Sequence, residues 1–170
     1  MPKPSSTDYP GYYHTYISLI EQEDIVPVLK DQLDEITILF NSISDEKSQF
    51  RYEEGKWSIK EMIQHLIDGE RIFSYRMLAI SRGDTNSLNS FDQDDYARKS
   101  HADLREWNKL VTEFINLRIS TLDLLKSLTT DDLNNSGLVN NNPITSLSIA
   151  YIIAGHSTHH LKILIDRYLI

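Results

Sequence analysis

Three of the chain's six histidines fall within the six-residue run Gly155-His156-Ser157-Thr158-His159-His160. Imidazoles grouped in this way act as metal ligands, as catalytic bases or as hydrogen-bonded core residues, and their spacing narrows the choice. On a helix turning 100° per residue, His156 and His160 point within about 40° of each other, on the side that also carries Ile149, Ile153 and Ile163. His159 points about 60 to 100° away from both, so one helix cannot bring all three to one ion. An inward-facing i, i+4 pair has the chelating spacing of helix-borne zinc sites and needs a third ligand from another element. His65, in Glu61-Met62-Ile63-Gln64-His65-Leu66, flanks the apolar stripe of a second helix and is the candidate. Nothing around His14 or His101 suggests ligation. Ser157 stands where a metalloprotease HExxH motif has its glutamate, which excludes that mechanism.

Charged residues near these positions have two readings each. Asp68, one turn beyond His65, could orient a ligand or take a proton, or be a solvated helix residue. Glu70 with Arg71 reads as a surface pair or a packing bridge. Arg118 continues the stripe Trp107, Val111, Phe114 by four, so a guanidinium sits where a core residue is expected and must be paired. Its partner is either a carboxylate on a neighbouring helix or an anionic substrate near the metal. The aspartates of FDQDDYARKSHAD do not form a calcium loop: counted from Asp92, position five is Tyr96, six is Ala97 and twelve is Asp103. Trp57 and Tyr75 read as core or helix-start packing.

The elements that position these residues follow from periodicity. Apolar residues recur at three and four over four stretches, about 24–44, 58–81, 102–128 and 146–169. Pro27 is tolerated in the first turn of the first, Ser58 and Glu61 form a capping box for the second, and Thr145 or Ser146 caps the fourth. Helices of 20 to 27 residues span roughly 30 to 40 Å, and four of them in one domain make a four-helix bundle. The segment NNSGLVNNNPITS reads as loop, and no alternating strand pattern stands out. Residues 1–22, with Tyr9, Tyr12, Tyr13 and Tyr16, are too aromatic for a free tail and are expected to lie against a bundle domain spanning 23–170.

Composition limits the functions open to such a bundle. The chain of 170 residues is 40% hydrophobic and 25% charged, carries a formal net charge of −8 at pH 7 and has no cysteine. Thiolate ligands, disulfides and a cysteine nucleophile are therefore excluded, and any metal sits on nitrogen and oxygen. The negative charge argues against nucleic-acid and anionic-membrane partners and leaves a small molecule as the expected partner. No apolar h-region occurs in MPKPSSTDYPGYYH, which points to the cytoplasm.

The combination KWSIKEMIQHLIDGERIFSYR, FDQDDY, EFINLR and AGHSTHHLKILIDRYL, in that order, resembles the DinB/YfiT-like superfamily of metalloenzymes. The resemblance covers most of the chain from about Tyr12. It implies an up-down-down-up four-helix bundle and a divalent metal held by His65, His156 and His160. Imidazole donors do not fix the metal; zinc or nickel is expected first, with iron or manganese as alternatives. The resemblance also implies thiol S-transferase or hydrolase chemistry, a low-molecular-weight thiol as a co-substrate of the former, and admits a homodimer. Gln64 and Ser157 depart from the family's usual small and acidic residues there. Three neutral imidazoles leave an ion's charge uncompensated and a coordination position open, where a water or thiolate nucleophile is activated. The competing class is a noncatalytic bundle in which the ion only clamps helices, or a stress-associated protein. A fourth protein ligand would mark that structural site.

Overall fold

The computed structural model describes residues 2–169, so Met1 and Ile170, the outer ends of the two expected segments, lie outside the described residues. Eight α-helices occur among them: α1 (His14–Ile17), α2 (Ile25–Asn41), α3 (Asp45–Ser48), α4 (Ile59–Ser81), α5 (Gln93–Lys99), α6 (Trp107–Ser127), α7 (Thr130–Asn134) and α8 (Ser146–Ile163), the last continuing as a π-helical turn over Leu164–Tyr168. The four long ones are those the periodicity predicts, and side-chain caps set most of their starts. Asp24 accepts from the Val26 N–H ahead of α2, Ser58 and Glu61 close the expected capping box on α4, and Thr145 caps α8 through the Ser148 N–H. The third long helix begins later than expected. His101 takes a left-handed conformation (φ 54°), Ala102–Leu104 form a separate 3-10 turn, and Leu104, expected on the apolar face, is 86% exposed. Asp92 caps α5 by accepting from the N–H groups of Asp94 and Asp95, which explains the first acids of FDQDDY without any ion.

Contacts across the bundle fix its directions. Phe40 packs on Trp107 and Gln32 bonds Arg118, so α2 and α6 run antiparallel. Tyr151 donates to the carbonyls of Gln22 and Glu23 just before α2, and Gln32 donates to Thr158, so α2 and α8 run parallel. His65 meets His160 while Ser146 donates to the Met77 carbonyl, which makes α4 and α8 antiparallel. The order is therefore up, down, down, up, with α4 and α6 parallel and side by side.

Residues Ser146 to Ser157 of α8 are buried on every side, which its nearly continuous apolar sequence requires. The N-terminal segment supplies the last wall. Ile17 and Ile20 are buried, Ser148 and the Thr145 N–H donate to the Asp8 carbonyl, and a Cβ on Gly155 would stand 2.1 Å from the Tyr16 carbonyl oxygen. Glycine at 155 is what lets the two backbones meet.

A small sheet corrects the all-loop reading of NNSGLVNNNPITS. Strands β2 (Ser136–Val139) and β3 (Asn142–Thr145) form an antiparallel hairpin, and β1 (Ser87–Leu88) pairs parallel to β2. The two-residue turn, Asn140-Asn141, has φ of 49° and 61°, a left-handed pair that asparagine tolerates. Among the described residues no helix is long and apolar enough to cross a membrane.

Candidate metal centre

His65 on α4 faces His156 and His160 on α8, and all three are buried. Their Nε2 atoms converge, 2.9 Å apart for His65 and His156 and 3.2 Å for His65 and His160. Burial, reinforced by the neighbouring imidazoles, lowers the pKa of His65 to about 4 and of His160 to about 3, and holds His156 well below its ordinary value. The rings are therefore neutral at pH 7 and present lone pairs. A shared proton can join two such nitrogens but not three, whereas a divalent ion accepts all three lone pairs. Ligands about 2.0–2.1 Å from a tetrahedral ion lie roughly 3.3 Å from one another, so small ring movements complete the geometry. Among the described residues no further histidine, cysteine, aspartate or glutamate joins the cluster. The donor set fits an ion with an open position.

Helix α4 makes room for this meeting at Gly69, where a Cβ would lie 3.0 Å from the His156 ring. A glycine inside an otherwise regular helix is the signal that could have shown a close approach there. Trp57, ahead of α4, places its ring 4.9 Å from that of His65, while Tyr75, expected to pack, is 57% exposed. His159 is not one of the converging histidines and packs edge-on against Tyr16 and His160, His14 bonds Tyr9, and His101 lies in its left-handed turn.

Beside the histidines lies a polar junction drawing one residue from each long helix. Arg118 (α6), with no exposed surface, donates from Nε and Nη2 to the Glu70 carboxylate (α4) at 2.7 and 2.8 Å, from Nη1 to Gln32 (α2) at 3.2 Å, and from Nη2 to the Ser157 hydroxyl (α8) at 2.8 Å. Glu70 is thus the partner of Arg118, not of Arg71, which pairs with Glu113 and Asp68. Asp68 accepts from Gln64 at 2.9 Å, with no hydrogen bond to a histidine among the described residues, and burial raises its pKa. Gln64 also accepts from Arg105.

A cavity of about 370 Å³ opens onto His65 and His156. Its wall includes Tyr12, Tyr13 and Tyr16 from the N-terminal segment, Phe73 and Arg76 from α4, and Val139 and Asn140 from the hairpin. Neither Asp68 nor Arg118 lines it. Arg76 and the hairpin residues escape sequence reasoning: Arg76 closes the stretch KWSIKEMIQHLIDGERIFSYR, eleven residues beyond His65, with no local signal that its charge is buried, and the hairpin carries no motif.

The sequence profile of the DinB superfamily matches residues 29–164, which include all three histidines. The chain belongs to the DinB superfamily. It is 29% identical over 123 residues, 71% of its own length and 70% of the relative's, to an Oceanobacillus iheyensis protein named "Putative metal-dependent hydrolase OB0413". Among solved structures, the DinB fold seen here matches Bacillus subtilis YfiT, described as a probable metal-dependent hydrolase with an unusual four-helix bundle topology, at a TM-score of 0.75 and 16% identity. That match covers 96% of this chain and 90% of that one. A mycothiol-dependent maleylpyruvate isomerase matches at a TM-score of 0.66 and 9% identity, over 85% of this chain and 61% of the isomerase.

Proposed function

We propose that the chain is a divalent-metal-dependent enzyme in which His65, His156 and His160 hold an ion, zinc or nickel first, that activates a nucleophile for attack on a small electrophilic molecule. The observation that carries this reading is the convergence of three neutral imidazole nitrogens at the wall of an open cavity with no fourth protein ligand among the described residues. A structural clamp would be closed by such a ligand. When bound, the ion supplies Lewis acidity that brings a water or thiol in its open position to an ionised state near neutral pH.

The protein's own residues orient the reactants. Gly69 lets the His156 ring sit against α4, and the rings of Tyr16 and Phe73 pack edge-on against that imidazole. Arg118 acts as a positioning residue through Ser157, next to His156, and Asp68 as one through Gln64, next to His65. Either water or a low-molecular-weight thiol suits the open position; the names of two relatives favour hydrolysis, and the third favours thiol chemistry. A cytoplasmic setting without nucleic-acid or membrane partners belongs to the same proposal and accords with the charge of −8.

Elemental analysis of untagged protein tests it. One ion per chain is expected, and less than about a tenth of that in the His156→Ala, His160→Ala variant. Wild-type protein that stays metal-free after incubation with zinc, nickel, iron and manganese would rule the reading out. Given a bound ion, turnover of ester or amide substrates with and without added thiol separates hydrolase from transferase.

A further inference from the structure

Arg76 is, like Arg118, a buried guanidinium, 3% exposed, yet it is held in a different way. Its Nη2 donates to the Asn89 carbonyl at 2.6 Å, its Nη1 makes a long contact of 3.4 Å with the Tyr13 hydroxyl, and the rings of Phe73 and Phe91 lie 5.7 and 6.0 Å away. No carboxylate pairs with it among the described residues. Tyr13 is not its counter-ion. Burial pushes that hydroxyl up to about 12 although Arg76 opposes the shift, so it stays neutral. A buried charge without a partner is costly and is retained where something outside the chain completes it.

The surroundings say what that is. Arg76 lines the cavity that reaches His65 and His156, and no aspartate or glutamate contributes to the wall, although the chain has 25 of them. Half of the remaining wall is aromatic, Tyr12, Tyr13, Tyr16, Phe73 and Phe91, and the polar residues in it are uncharged. Eleven residues are three turns of helix to within about 20°, so His65 and Arg76 project from one face of α4, with Cα atoms separated by roughly 16 Å along the axis. Both residues line the one cavity. A guanidinium at one end, an ion site at the other and flat rings between them define a ligand with an anionic head, an apolar planar body and a reactive far end.

We propose that Arg76 is the specificity-determining residue of this cavity and that the substrate is a small organic carboxylate with an aromatic or otherwise flat apolar body, its carboxylate paired to Arg76. This rests on the cavity being the substrate site of the proposed enzyme.

Benzoate and its neutral analogue benzamide are the probes, titrated at low ionic strength into the full chain, chelator-treated and zinc-loaded, with binding followed by backbone amide NMR shifts. Loss of a charge-assisted bidentate contact weakens binding about tenfold or more. The expected result is saturable benzoate binding to metal-free wild type, with shifts around Arg76 and Phe73, at least tenfold tighter than benzamide and lost to the same degree in Arg76→Gln. Should that variant fail to fold, the ratio of benzoate to benzamide affinity on wild type decides alone. Equal affinity for the two probes, no benzoate binding to any form, or benzoate binding only to zinc-loaded protein and unchanged in Arg76→Gln would overturn the assignment. Zinc uptake by the same samples reports on the histidine site separately: protein that refuses zinc yet binds benzoate through Arg76 loses the metalloenzyme reading on which a substrate role depends, whereas zinc uptake without carboxylate preference overturns this assignment alone.

Discussion

Each of the three histidines loses its proton affinity to burial, and that has a consequence for stability in the metal-free protein. An unfolded histidine titrates near 6.5, whereas folded His65 and His160 titrate at about 4 and about 3. Below pH 6.5 the unfolded chain takes up protons that the folded chain refuses, so the contribution of these neutral rings is complete above that pH and declines as the pH falls toward 4 and then 3. Urea unfolding of chelator-treated protein between pH 7.5 and 4.5 should show a slope approaching about 1.4 kcal/mol per pH unit for each histidine. His160→Leu should be shallower by about one such share. Arg118 belongs at the same scale. Arg118→Met strands the Glu70 carboxylate in the core and should cost about 3–5 kcal/mol by thermal or urea unfolding, while the double variant with Glu70→Leu recovers most of it. An Arg118→Met protein as stable as wild type would show that the junction holds nothing together.

At the scale of elements, the N-terminal segment and α8 depend on one another. A methyl group on Gly155 meets the Tyr16 backbone at 2.1 Å, and backbone cannot yield as a side-chain tip does. The intrinsic helical advantage of alanine over glycine, about 0.5–1 kcal/mol, is smaller than the roughly 1–3 kcal/mol of overpacking. Gly155→Ala should therefore lower the melting temperature and expose the segment before Ile25 to protease, which a limited-digestion time course resolves. The same elements show what sequence can and cannot reveal. The long helices are legible because each repeats apolar residues at helical spacing, and His65, His156 and His160 are legible because that spacing places them on inward faces. The pairing of Glu70 with Arg118, where sequence offers Arg71 as a neighbour, depends on which helix lies alongside α4, and no local pattern encodes that. Leu104 and Tyr75 mislead for a related reason: a broken helix start and an outward face both look apolar in the sequence. The hairpin hides because only two of its strand residues in β2 are buried and its turn is built from asparagines that also read as loop.

For the molecule as a whole, the order up, down, down, up places α4 and α8 antiparallel and puts their histidines at one level, so a bound ion ties together side chains 91 and 95 residues apart in the chain. A ligand present at about a hundred times its Kd stabilises by about 2.7 kcal/mol, which in a chain of this size raises Tm by roughly 5 to 10 °C. Zinc or nickel added to metal-free protein should produce that rise by calorimetry, and His65→Ala should abolish it; an equal rise in both proteins would place the ion elsewhere. The direction of the four helices, unlike their existence, comes from the family resemblance and from contacts such as Gln32 with Thr158, since periodicity is blind to which way a helix runs.

The junction of Gln32, Glu70, Arg118 and Ser157 also constrains how this sequence can drift. Replacing Arg118 alone leaves a buried anion and replacing Glu70 alone leaves a buried cation, so each single step passes through a poorly folded intermediate, while the pair together tolerates an apolar exchange. Lineages that keep this bundle should inherit both residues or neither, and because Ser157 directly follows His156, a change in the junction is felt beside the histidine cluster.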